Sequence, residues 1–205
     1  MQRMQSWEDR VAASTLSGYK MYSVNPSLTK LPFDCRPHKA TGKRLEQAIE
    51  LNSEFRLNAL AYESEMISKT YVWLDESDPV VPRIVAYATV RNSSLQMLRA
   101  PVQMQSVNGD RYQDLFEAPV VLLEALAVAS ENQGRDLGKW IIWFIASWFA
   151  LPDNKSGCRF LLISAYRDVA TYYTDKLGFL PVRPFDGDED LPAYYYYDFK
   201  WLKLS

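Results

Sequence analysis

Apolar residues change their spacing several times along the chain, and each change marks an element. Residues 1–39 are polar, with scattered Ser, Thr and Pro and no sustained period. They predict an N-terminal arm ahead of one domain covering 40–205. Beyond Thr41, a candidate helix cap, Leu45, Ile49 and Leu51 fall near one face and predict a helix over 42–56, with a second short one over 60–68. The period then drops to two. Tyr71–Leu74 and Arg83–Arg91 flank a Pro-containing turn and predict an antiparallel hairpin.

The stretch from Pro119 to Val128 is apolar at nearly every position, as expected for a strand buried on both faces. A polar turn, Ser130–Lys139, leads into Trp140–Ile145 and a helix over about 137–150 that is apolar almost all round, so it is expected to be buried or covered by a partner. Pro152 should end it. Further along come a strand at Arg159–Ser164, a helix at Asp168–Leu177 with Gly178 as its stop, a strand at Phe179–Val182 and a last strand at Tyr194–Leu202. The order reads as mixed α/β around a central sheet.

Composition narrows the function mainly by exclusion. The chain has 205 residues, a formal charge of −2 and 48% hydrophobic residues, which is ordinary globular usage and not a basic nucleic-acid arm or a disordered tail. Cys35, Cys158 and the single His38 are too few and too scattered for a zinc site, so no metal is expected. A Ser-His or Cys-His nucleophile would rest on His38 alone, which lies in the polar run Arg36–Lys39 and reads as a solvated loop residue. The longest apolar run, Trp140–Leu151, is shorter than the roughly 20 residues a membrane helix needs. With no signal-like N-terminus in MQRMQSWEDR, a cytoplasmic protein without membrane contact is expected.

The segment with chemical content is strand, Gly-containing turn, helix. A helix N-terminus presents unpaired N–H groups and the positive end of a dipole, which suits phosphate. Neither GxGxxG nor GxxxxGK[ST] occurs. The turn instead reads Gln133-Gly134-Arg135-Asp136-Leu137-Gly138, preceded by Leu126-Ala127-Val128. It resembles the Gln/Arg-x-x-Gly-x-Gly/Ala turn of the GNAT superfamily of acetyl-CoA-dependent N-acetyltransferases. Gln133 and Gly138 match its first and last fixed positions. A second family segment, an Ala, an aromatic pair and Gly-Phe, is matched by Ala170, Tyr173 and Gly178-Phe179.

The resemblance covers about half the chain and implies a GNAT-like α/β fold, a mostly antiparallel sheet flanked by helices with a splayed central strand. It implies acetyl-CoA as co-substrate, bound through Leu126, Ala127, Val128, Gln133, Gly134, Arg135, Asp136, Leu137, Gly138 and Lys139. The implied reaction is transfer of acetyl to a primary amine of a small molecule, a protein or an aminoacyl-tRNA, with strand N–H groups near Leu126–Val128 stabilising the oxyanion. Glu124 is the candidate base, on the expectation that burial in the strand raises its pKa. Tyr173 is the candidate acid.

Two positions depart from the pattern. Asp136 stands where the family turn has Gly, and either opposes phosphate or caps the helix. Thr174 stands four residues after Ala170, where the family often has a Tyr acid. Tyr173 is one position early, a rotation of about 100° on an α-helix, and reads equally as a packed aromatic. Losing a general acid slows such a reaction by ~10²–10⁴-fold without forbidding it, because a thiol of pKa about 8.5 leaves as thiolate. The alternative is a GNAT-fold module that binds coenzyme or a partner without turnover.

The stretch Val85–Leu95 with Pro119–Gly138 also resembles the toxin branch of the superfamily, which implies tRNA and an antitoxin as partners. Ala125 stands where that branch usually has Arg. Near-neutral charge argues against a broad tRNA surface, leaving local clusters at Arg36, Lys39, Lys43 and Arg44, and at Arg91, Arg99 and Arg111. Trp140, Trp143, Phe144 and Trp148 have helical spacing and predict a core or homodimer face. Tyr194–Tyr197 reads as strand packing or an acceptor pocket, and Asp186–Asp190 as a solvated loop or a rim for a cationic amine.

Overall fold

The computed structural model describes residues 18–78, 80–97, 116–151, 157–182 and 192–202. Its strands are β1 (Tyr19–Ser23), β2 (Lys69–Asp75), β3 (Arg83–Met97), β4 (Phe116–Val128), β5 (Phe160–Ala165), β6 (Leu180–Pro181) and β7 (Ala193–Asp198). The helices are α1 (Lys43–Leu57), α2 (Ala59–Ser64), α3 (Leu137–Ala150) and α4 (Arg167–Thr171), the last continued by a π-turn over Tyr172–Lys176. The strands form one sheet in the order β1-β2-β3-β4-β5-β7-β6. β4 and β5 pair in parallel, while β1–β2, β2–β3, β5–β7 and β6–β7 are antiparallel. This is the mixed α/β fold that the sequence predicts, including the hairpin.

The described residues divide into two compact units. One takes the chain up to Val90 together with Glu124–Phe144; the other takes Arg91–Leu123 together with the chain from Ile145.

In the first unit the core is built on an aromatic trio. Phe33, Phe55 and Tyr87 have ring centroids 4.8 to 5.6 Å apart, and all three are buried. The Tyr87 hydroxyl donates to the Leu51 carbonyl at 2.7 Å, which gives the buried phenol its partner. Burial pushes its pKa well above the ordinary phenol value. Val24, Leu28 and Cys35 join this core, and β1 extends the sheet through its ladder with β2. Residues 19–35 are therefore sheet and core here, although no hydrophobic period announces them.

α1 buries Ala48 and Phe55 with Leu51 packed beside them, an i, i+3, i+7 stripe. Ile49, expected on that face, is 48% exposed. The expected cap also moves: Gly42 occupies the N-cap with φ 55°, and its carbonyl accepts from Glu46. Thr41 is therefore not the cap, because a left-handed residue at 42 starts the helix one position later.

In the second unit Ala118, Val120, Leu122, Phe160, Leu162 and Tyr196 pack together. The Arg159 guanidinium forks onto the buried Asp198 carboxylate at 2.6 to 3.1 Å, tying the residue before β5 to the end of β7. Tyr195 and Tyr196 are buried, Tyr197 is half-buried and Tyr194 is exposed. The strand packing expected of this run is present. Pro152, Asp186–Asp190, Arg99 and Arg111 lie outside the described residues.

Candidate active site

Along β4, strand alternation sorts the candidate residues. Val120–Leu123 pair with Phe160–Ile163 of β5. Past that ladder Ala125, Ala127 and Ala129 point into the first unit's core, and Glu124, Leu126 and Val128 share the other face. Glu124 is exposed. The burial expected to tune this carboxylate is thus missing, because the strand's alternation turns position 124 away from the core.

After Val128 a short 3₁₀ turn, Ser130–Asn132, leads through Gln133–Asp136 into α3. Two residues of this turn are left-handed: Gly134 at φ 77° and Asp136 at φ 58°. The second falls where the resemblance led us to expect glycine. A glycine adopts that conformation freely, whereas a side chain there is strained, least so for Asp or Asn. Asp136 therefore keeps the turn's shape at some energetic cost. Its carbonyl accepts from the Trp140 N–H at 3.0 Å, so it opens α3 through its backbone. The exposed Arg135, Asp136 and Lys139 surround this helix N-terminus.

Gly138 packs on the strand it follows. A Cβ there would sit 3.7 Å from a Val128 methyl and 3.9 Å from a Leu126 methyl, ordinary contact distances. Gly or Ala both fit, and a longer side chain would push α3 off β4. The donor set suits a diphosphate: the N–H groups of a helix's first turn, with Arg135 and Lys139 beside them in the chain.

α3 itself is less uniformly covered than its composition suggests. Ile141, Ile142, Ile145 and Ala146 are buried, while Trp140 is 57% exposed and Trp143, Phe144 and Trp148 are half-buried. Phe144 meets Trp73 of β2 edge-on, with ring centroids 6.1 Å apart.

In the second unit Tyr173 lies within the π-turn, half-buried between aromatic neighbours. Its ring meets Phe179 at 5.9 Å and Tyr172 at 5.6 Å, both near-perpendicular, and its carbonyl accepts from the Phe179 N–H. Burial pushes its pKa up to about 12, so the phenol holds its proton at neutral pH. Thr174 donates its hydroxyl to Asp175 at 2.8 Å. The π-turn was not predicted; nothing in Tyr172–Lys176 distinguishes it from an ordinary helical turn.

Sequence reasoning also missed the segment that supports the turn. Gln133 donates its side-chain amide to the carbonyls of Cys35, at 2.8 Å, and Val128, at 3.0 Å, while the Ser130 N–H donates to the Asp34 carbonyl at 2.9 Å. Asp34 accepts from Arg36 and Asn52. Arg36 is thereby held in an ion pair, and Lys39, Lys43 and Arg44 are exposed, as Arg36 is. No local pattern links residue 35 to residue 133, so only folding reveals the contact. His38 is exposed. Among the described residues no cluster of His, Cys, Asp and Glu could hold a metal ion, and no helix is long and apolar enough to cross a membrane.

No protein-family profile matches the chain, and neither does any curated protein sequence. Solved structures do match. A Tyr-to-Phe mutant of KacT superposes with TM-score 0.65 at 20% identity, covering 89% of this chain and 96% of its own. AtaT complexed with acetyl-methionyl-tRNAfMet gives 0.64 at 16%, covering 89% and 95%. AtaTR bound with acetyl-CoA gives 0.60 at 17%, covering 90% and 96%. The chain thus has the fold of AtaT and KacT, in agreement with the mixed α/β fold expected from the turn at Gln133–Gly138 and the segment Ala170–Phe179.

Proposed function

We propose that this chain is a cytoplasmic N-acetyltransferase that moves acetyl from acetyl-CoA to a primary amine. The observation that carries the reading is the β4–turn–α3 unit, with its left-handed Gly134 and Asp136, in a fold shared with AtaTR, which has been solved with acetyl-CoA. The coenzyme's diphosphate would rest on the N–H groups opening α3, between Arg135 and Lys139. The amine nitrogen attacks the thioester carbon, the C–S bond breaks, and coenzyme A departs as a thiolate that takes up a proton. The oxyanion would be held by N–H groups around Leu126–Val128.

A primary ammonium, of pKa about 10 on an alkyl chain and about 8 for an α-amino group, must first lose a proton. Glu124, exposed on the same strand face as Leu126 and Val128, is the base we assign, acting through water. Tyr173 is a weaker candidate acid than its position suggests, since its ring is packed and its proton tightly held. The acceptor class best supported is the amino group of an aminoacyl-tRNA, because AtaT with acetyl-methionyl-tRNAfMet shares the fold. An antitoxin partner is supported by AtaT bound to the C-terminus of the antitoxin AtaR, which shares the fold, and exposed Trp140 marks a surface for it or for a second copy of this chain.

Calorimetry with acetyl-CoA, followed by turnover against amines that include aminoacyl-tRNA, tests the proposal. Micromolar binding with turnover of one acceptor is expected; no binding at millimolar coenzyme would sink it. Growth arrest on induced expression, relieved by Glu124→Gln, is the expected result if aminoacyl-tRNA is the acceptor. A second reading, a module that binds coenzyme or a partner without turnover, is favoured by Thr174 and Asp136. Coenzyme binding with no acetylated product from any amine would select it.

A further inference from the structure

The family pattern assigns Gln133 to coenzyme, yet its side-chain amide is engaged elsewhere. It donates to two main-chain carbonyls, Cys35 at 2.8 Å and Val128 at 3.0 Å, that lie 93 residues apart in the chain (128 − 35). The neighbouring Ser130 N–H donates to the Asp34 carbonyl. Three hydrogen bonds thus hold the coenzyme turn, two of them to residues 34 and 35.

Those two residues are themselves fixed from the opposite side. Asn52 of α1 accepts from the Cys35 N–H and donates to the Asp34 carboxylate, both at 3.0 Å. Arg56, one turn further along α1, donates to the Phe33 carbonyl at 3.0 Å. The Cys35 thiol reaches the Ala48 carbonyl at 3.4 Å, and Phe33 is locked in the aromatic trio. Arg36 folds back on Asp34 through its backbone N–H and its guanidinium. Phe33 O, Asp34 O, Cys35 N, Cys35 O and Arg36 N are therefore bonded to α1, to the Asp34 side chain or to the coenzyme turn.

We propose that Phe33–Arg36 is a brace transmitting the position of α1 to the coenzyme turn, with Gln133 and Asn52 as its positioning residues. Gln133 then acts through the turn's backbone and makes no contact with coenzyme. A donor is what the site requires, because two carbonyl oxygens face it; this also accounts for a pattern that admits Gln or Arg, two long side chains with several N–H groups. A turn held this way presents its N–H groups without having to order them when a phosphate arrives, which favours affinity.

The inference rests on the coenzyme reading above, and the test separates the two. Wild type, Gln133→Glu, Gln133→Arg and Asn52→Ala are compared by amide hydrogen exchange of Gly134–Gly138 without coenzyme, by calorimetry with coenzyme A, and by KM and kcat for acetyl-CoA. Glu has the shape of Gln but sets acceptors against acceptors. Losing two neutral hydrogen bonds shifts an opening equilibrium by about tenfold. The expected result is exchange in the turn about tenfold faster in Gln133→Glu and several-fold faster in Asn52→Ala. KM for acetyl-CoA rises to match, kcat falls less than KM rises, and Gln133→Arg restores wild-type behaviour. Should Gln133→Glu fail to fold, Asn52→Ala and the Arg rescue still decide. Unchanged exchange in the turn, or a Gln133→Arg protein as impaired as Gln133→Glu, overturns the brace. Failure of wild type to bind coenzyme A overturns the coenzyme reading alone, and the exchange data then judge the brace by themselves.

Discussion

The turn before α3 and the helix at α4 each depart from the family pattern at one position, and the two departures differ in kind. At Asp136 the turn asks for a backbone conformation that glycine adopts freely, and Asp136 adopts it at φ 58°. Its consequence is a strained residue and one negative charge, both graded effects. At Thr174 the family residue contributes a functional group, and a hydroxyl bonded to Asp175 does not reproduce a phenol. Where backbone carries the chemistry, a side chain can change and leave the site intact. Where a side chain carries it, nearby tyrosines are no substitute unless the helix turns them the same way.

The largest effect should come from the packing of α4. Tyr173→Ala removes a ring seated against Phe179 and Tyr172 and is expected to cost about 3 kcal/mol, read from a shift in the urea midpoint at constant slope. Tyr173→Phe keeps the ring and should change both stability and turnover little; a loss of two orders of magnitude in kcat would instead make this phenol the acid.

Next comes the missing group itself. Thr174→Tyr restores the family residue and is expected to raise kcat by about 10²-fold if the reaction lacks only an acid. An unchanged kcat in a folded protein would show that α4 takes no part in proton transfer.

The turn should respond less. Asp136→Asn keeps a residue tolerant of positive φ and removes the charge beside the diphosphate, so affinity for coenzyme A should rise several-fold. Stability should fall by about 0.3–1 kcal/mol, since a carboxylate at a helix N-terminus is favourable. Opposite signs for the two measurements are the signature; a fall in both would mean that Asp136 holds the turn through its side chain.

The smallest effects concern pH. The Arg36 side chain, with lesser help from Asn52, holds the Asp34 carboxyl well below its ordinary value of 3.8. The folded state then binds fewer protons than the unfolded one in acid, so this contribution is complete above about pH 4 and fades as pH falls further. Asp34→Asn should flatten that acid limb of a urea-midpoint profile. Tyr173 runs the other way: burial raises it from 10.0 to about 12, so its contribution is complete below pH 10 and is lost as pH rises through about 12. Tyr173→Phe should reduce the alkaline decline.

Much of the scaffold was legible because periodicity reports burial directly. The apolar run at 119–128 became β4, the helix over about 137–150 became α3, and Gly178 ends the α4 turn with φ 71°. Errors fell where local pattern and burial part company. Ile49 fits a helical stripe but lies on the exposed side of α1, and Glu124 sits in an apolar run but faces solvent. Residues 19–35 look like an arm because the residues that enter the core from them, Val24, Leu28, Phe33 and Cys35, share no period; three lie on irregular backbone and Leu28 opens a 3₁₀ turn.

By itself the sequence determined the order of the main elements beyond residue 40, the strand–turn–helix suited to phosphate, and the two positions that depart from the pattern it resembles. These are local properties, set by spacing, turn chemistry and residue type within a window of a few turns. Tertiary structure alone decided that Asp136 is left-handed, that Tyr173 sits in a π-turn against Phe179, and that Gln133 reaches Cys35. Each of these depends on groups distant in the chain or on backbone geometry with no sequence signal. A hydrogen bond between residues 35 and 133 exists only once β4, α1 and the segment between β1 and α1 have packed together.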